Sequence, residues 1–193
     1  MHIADGILPT AWCAAGHVVA LGAVVWLGRR VEPWEVARMG MMSATCFVIS
    51  MVHFPLLGTT VHLGLLGLTG ILLGGRSFPV IFTTLLFQAL LFQHGGLLSL
   101  GVNALNLGLG ALLAAFVWKV PQLPSGLRAA VAGFVGAFLP ALLLVAEFQA
   151  IGYGKGFAAI TAVYLAVACA EAAITVTAIS FFRHAKPALL ESR

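Results

Sequence analysis

Apolar residues fill this chain in seven long stretches, separated by short turns that carry nearly all of its charge. The stretches run over about residues 11–28, 36–53, 61–74, 78–93, 103–118, 128–148 and 157–182. A helix needs about 20 mostly apolar residues to cross a bilayer. The pattern therefore predicts an all-α polytopic membrane protein with about seven transmembrane helices, forming a single bundle over residues 1–193. The third and fourth stretches are short and are separated by Gly74-Gly75-Arg76-Ser77, with Pro79 well placed for a helix start. The third also holds Gly64, Gly67, Gly70 and Gly74. Such a segment is a poor isolated helix but permits close backbone approach.

Composition sharpens this picture. Of 193 residues, 61% are apolar and 8% charged, and the mean hydropathy is +1.07. Soluble domains carry about 25% charged residues, so a soluble domain, a disordered chain and a nucleic-acid binder are all excluded. Seven spans leave no room for a separate soluble domain. The net charge of +4 comes from residues scattered at the ends of apolar runs, which is a topology signal and not a basic patch. Arg29, Arg30 and Arg38, then Arg76, then Lys119 and Arg128, then Arg183, Lys186 and Arg193 fall on alternate connections. That places nine of the ten basic residues on one side and only Lys155 on the other. The positive-inside rule puts the amino terminus outside and the carboxyl terminus in the cytoplasm of a cell with this multi-pass protein in its inner (plasma) membrane. Merging residues 61–93 into one unit would scatter the same charges across both sides. The first basic residue, Arg29, follows the first apolar run, which is not the order of a secretory signal. The bulky His2 predicts that Met1 is retained. Cys13, Cys46 and Cys169 each stand alone in an apolar run and give neither a disulfide framework nor a thiolate metal site.

This topology sorts the histidines. His2, His53, His62 and His94 all fall at the outer ends of spans, whereas His17 is mid-span and His184 lies in the tail. Four imidazoles at one face of so apolar a chain suggest metal binding. The amine of Met1 and the amide nitrogen of His2 can close a five-membered chelate ring, and that amide with His2 Nδ1 closes a six-membered one. A fourth nitrogen would complete a square plane, the geometry of Ni(II) or Cu(II). Carboxylates are too few for an oxygen-built Mg or Ca site. The dipeptide alone is equally compatible with an exposed terminus that binds nothing.

Met1-His2-Ile3-Ala4-Asp5-Gly6-Ile7-Leu8 resembles the start of the CbiM/NikM family, the substrate-binding membrane subunits of energy-coupling-factor cobalt and nickel transporters. Phe87–Leu97 (FQALLFQHGGL), Leu100-Gly101-Val102-Asn103 and Glu171-Ala172-Ala173-Ile174-Thr175 resemble further motifs of that family, so the likeness covers essentially the whole chain. The resemblance implies an amino terminus inserted into the bundle. It implies a cargo of Ni²⁺ or Co²⁺ held by the Met1 amine, the His2 amide and ring, and a histidine most like His62. Leu63 follows His62 where the family often has Pro, which leaves His53 as a rival fourth ligand. Asp5, His94 and Asn103 are then expected as hydrogen-bond partners or loop-ordering residues, with Asp5 as an imidazole partner or a cap on the first helix. The implied partners are a transmembrane coupling subunit, two ATPase subunits and a small accessory membrane subunit. The chain has no GxxxxGK[ST] and is not expected to be an enzyme. Geometry favours nickel over cobalt.

Glu171 lies deep in the last stretch, where a charge costs about 2.5–3.5 kcal/mol and needs a partner. His17 and Glu171 each stand 12 residues before a basic residue at a span end, so the pair is expected to meet at one depth. Ala11/Ala15, Gly16/Ala20, Ala129/Gly133/Ala137 and Ala158/Ala162/Ala166/Ala170 offer close-packing faces. The alternatives are a proton-coupled secondary transporter and a membrane metalloenzyme. The first has one intramembrane carboxylate to support it; the second lacks HExxH and a general base near the histidines.

Overall fold

Each apolar stretch contributes one helix: α1 (Thr10–Gly28), α2 (Pro33–Met51), α3 (Leu66–Leu73), α4 (Ser77–Phe92), α5 (Leu100–Trp118), α6 (Ser125–Ala150) and α7 (Phe157–Ala185). The computed structural model describes residues 2–56, 59–153 and 156–190. Among the described residues, five segments are long and apolar enough to cross a membrane: α1, the run Leu66–Phe92, α5, α6 and α7. α2 is less apolar because it carries Glu35, Arg38, Ser43, Thr45 and Ser50.

The third stretch differs most from expectation. Instead of a helix over residues 61–74, it begins as the strand β2 (Thr59–His62), paired antiparallel with β1 (His53–Leu56). The register sets His53 opposite His62. Only the eight residues of α3 are helical, a length of about 12 Å. The chain then passes through a 3-10 turn, Gly74–Arg76, into α4. Glycine explains why the short helix is nevertheless central. A Cβ at Gly67 would strike Gly133 and the Ala132 carbonyl of α6, and one at Gly70 would strike the Ala111 carbonyl of α5. The two glycines let α3 lie directly on both backbones.

A broken span leaves backbone N–H groups that lipid cannot satisfy. Glu171 of α7 supplies the acceptor: its Oε1 takes the N–H of Gly64 at 2.5 Å and of Leu65 at 2.9 Å. The expected His17–Glu171 pair is therefore not formed. Glu171 is committed to the start of α3, and His17 Nδ1 bonds the Cys13 carbonyl one turn back in α1 at 2.9 Å. The physical reason is packing: α1 lies on α5 and α4, whereas α7 lies on α6. Equal depth did not mean adjacency.

Basic residues gather at the end of the bundle opposite the histidines. Arg76 takes the carbonyls of Leu27, Arg29 and Arg30 and pairs with Glu35, tying the α1–α2 link to the 3-10 turn. Arg38 bonds the Leu72 and Leu189 carbonyls, and Arg128 bonds that of Trp118. Gly16 and Ala20 of α1 and Ala129, Gly133 and Ala137 of α6 are buried between helices, but Ala158, Ala162, Ala166 and Ala170 of α7 face outward.

Candidate metal centre

Three separated segments meet at one end of the bundle. His2 comes from the segment before α1, His62 from the end of β2, and His94 from the link after α4. One ring nitrogen from each lies within 4.8 Å of the others, a spacing one cation can bridge. The rings of His2 and His62 stack at 5.2 Å, and His94 meets His2 edge-on at 4.4 Å. His53 sits at the rim, 5.5 Å from His62 and 5.4 Å from His94, exposed and bonded through Nδ1 to the Met51 carbonyl.

The amino-terminal segment is held in place by α5. Asn103 Oδ1 accepts the Ile3 N–H at 2.8 Å, and its Nδ2 donates to the Ile3 carbonyl at 2.9 Å. Ser99 Oγ adds a contact of 2.7 Å to the same carbonyl. Ile3 is fully buried against Leu8, Cys13, Val102 and Leu144. Asp5 takes neither of its two expected roles. Its carboxylate accepts the N–H groups of Leu98 and Ser99, at 3.1 and 2.8 Å, and so caps the start of α5. Desolvation pushes the Asp5 carboxyl up, but these hydrogen bonds outweigh it and hold the pKa below its ordinary value. The two glycines after His94 make this docking possible. Gly95 adopts φ +87° beside the His2 side chain, and a Cβ at Gly96 would land on the Asp5 carboxylate.

The site is electrostatically prepared for a cation. Burial, reinforced by the neighbouring imidazoles, lowers His2 well below the usual histidine range and His62 to about 3, and burial also lowers His94. All three rings are therefore neutral at physiological pH, the form that ligates metal. His62 Nδ1 lies 3.1 Å from the Leu63 carbonyl, which can only accept, so the proton sits on Nδ1 and the lone pair on Nε2. Both ring nitrogens of His2 and Nε2 of His94 are buried with no hydrogen-bond partner.

Of the residues predicted as ligands, the structure brings His2 and His62 together; Met1 lies outside the described residues. Sequence reasoning placed His94 in a supporting role, whereas its ring lies in the cluster itself. The signal was the same HGG run, in which the glycines fold the ring back over His2. Asn103, expected in the outer link between the fourth and fifth stretches, lies in the first turn of α5.

The protein family described as the cobalt uptake substrate-specific transmembrane region matches residues 2–189. A cobalt transport protein CbiM of Sorangium cellulosum is 31% identical, with 99% of this chain and 95% of that protein covered. A fused cobalt transport protein CbiMQ of Methanocorpusculum labreanum is 33% identical over 64% of this chain, which spans 22% of that longer protein. The chain spans 43% to 60% of the length of several other curated relatives. A crystal structure of a truncated transition metal transporter superposes with a TM-score of 0.77 at 27% identity, covering 95% of this chain and 98% of that one.

Proposed function

The chain belongs to the CbiM family, and from that membership we propose that it is the substrate-binding membrane subunit of an ATP-driven uptake system for a divalent transition metal, Co²⁺ or Ni²⁺. The observation that carries this reading is the half-buried, neutral cluster of His2, His62 and His94, with ligand atoms within 4.8 Å of one another. The cargo is held by the Met1 amine, the amide and ring of His2, and His62. His94 completes the cluster, its ring edge-on to that of His2. Because four nitrogens with a deprotonated amide favour a planar field, the geometry prefers Ni²⁺. The basic end of the bundle faces the cytoplasm and the histidine cluster faces outward.

Energy comes from partners: a transmembrane coupling subunit, two ATPase subunits and a small accessory membrane subunit. The fused CbiMQ relative, whose name joins CbiM to a second component, supports a dedicated membrane partner. The alanines exposed along α7 offer that partner a face with close backbone approach. The test is metal binding by the purified protein against a variant with one extra residue before Met1, using Ni²⁺, Co²⁺ and Zn²⁺. The extension preserves every side chain and displaces the amine. Loss of tight Ni²⁺ or Co²⁺ binding is expected; unchanged binding would refute the amino-terminal chelate.

A further inference from the structure

Below the histidines is a small cavity of about 20 Å³, lined among others by His2, His62, Ser50, Thr84 and Gln88. Gln88 belongs to α4, is 1% exposed, and has an Oε1 with no hydrogen-bond partner. Ser50 fixes which way its amide points. The Ser50 hydroxyl donates to the Phe47 carbonyl at 2.8 Å, so toward Gln88, 2.5 Å away, it can only accept. Nε2 must therefore be the atom facing Ser50, and the acceptor Oε1 is left over. Such an orphan is costly in a native interior and calls for an explanation.

His2 presents the converse need. If Nδ1 binds the cation, Nε2 keeps its hydrogen and becomes a buried donor; neither ring nitrogen has a protein partner. Metal-bound imidazoles nearly always donate that second N–H, which fixes the tautomer and the ring plane and raises ligand basicity. We propose that Gln88, which lines the same cavity as His2, is the positioning residue for that ring: with the cation bound, its Oε1 accepts the His2 Nε2 proton. The inference rests on the reading that His2 chelates the cargo. It gives a role to a glutamine that the metal-ligand set leaves unused, and it explains the Ser50 clamp on the amide. Thr84, one turn before Gln88, is bonded to Ser43 at 2.9 Å and lines the same cavity.

The experiment is a Ni²⁺ titration of the purified protein, followed by ligand-field absorption and by the His2 ring N–H signal in ¹⁵N-histidine NMR. Gln88→Met keeps the shape and removes the acceptor. It is expected to raise the Kd by about 10- to 100-fold, to shift the absorption band and to speed exchange of the Nε2 proton. Gln88→Glu restores an acceptor and should return the affinity to within about threefold of the original. Native affinity with a protected Nε2 proton in Gln88→Met would overturn the proposal, provided His2→Ala abolishes binding. Binding retained in His2→Ala would overturn the underlying site reading, and this proposal with it. If Gln88→Met does not fold, Ser50→Ala releases the amide and is expected to weaken binding by about threefold to tenfold; no change would count against the proposal.

Discussion

Asn103→Ala tests whether docking of the amino-terminal segment controls metal affinity. The substitution strips both contacts that Asn103 makes to Ile3. The Ile3 N–H is left buried and unpaired, which costs about 1–3 kcal/mol. The Ile3 carbonyl keeps Ser99 Oγ at 2.7 Å, so its loss is smaller, about 0.5–1.5 kcal/mol. Together the docked state loses about 2–4 kcal/mol. Only the docked chain can present His2 to His62 and His94, so the apparent Kd rises as the docked fraction falls. Part of the loss is absorbed before undocking becomes the major state, which leaves an expected rise of about 10- to 100-fold. Ser99→Ala removes the hydroxyl's contacts to the Ile3 carbonyl, Asp5 Oδ1 and Asn103 Nδ2 while Asn103 still serves that carbonyl, and should cost about threefold to tenfold. Isothermal titration with Ni²⁺ and Co²⁺ in detergent measures all three proteins. Affinity of Asn103→Ala within threefold of the parent would refute the docking argument, because no other described side chain bonds the Ile3 N–H.

Gly96→Ala drives a methyl group into the Asp5 carboxylate and should displace the segment. Hydrogen exchange at the Ile3 amide is expected to accelerate, and unchanged protection would contradict the steric reading. Metal affinity should fall with pH. Protons compete for the amino-terminal amine, ordinarily near 8, and for the amide, giving about 10- to 100-fold per unit below that value. His62 contributes little over pH 8 to 5, because burial holds it at about 3. A flat affinity across that range would exclude the amino-terminal chelate. The lowered values of His2, His62 and His94 make the metal-free fold lose stability below about pH 6.5, where the unfolded chain takes up protons that the buried rings refuse. Glu171→Leu orphans the N–H groups of Gly64 and Leu65 at about 1–3 kcal/mol each. Its melting temperature should drop by several degrees more than that of Glu171→Gln, which keeps an acceptor. Equal melting curves would show that the cap carries no stability.

The unbroken apolar stretches determined the helices by themselves. In a chain this apolar, backbone groups must pair within their own segment, so length and hydropathy are enough to place α1, α2 and α4 to α7 within about three residues. The proposed amino-terminal chelate is local too, because His2 carries its amide and ring on one residue. What the sequence could not decide were contacts between segments far apart along the chain. Glu171 looked like a partner for His17 because both have the same depth, yet depth says nothing about which helices are neighbours. Its actual partners, Gly64 and Leu65, are backbone groups exposed only because the third stretch breaks into a strand and a short helix. The His94 ring lies in the cluster beside His2, with Gly95 and Gly96 packed against His2 and Asp5, a juxtaposition that spacing along the chain does not give. Gln88 stands in the FQALLFQHGGL run, but its role was not legible there, since an orphaned carbonyl oxygen exists only once Ser50 has fixed the other end of its amide. Hydropathy acts along one segment, whereas pairing of buried polar groups is settled by packing among all of them, and only the tertiary structure contains that.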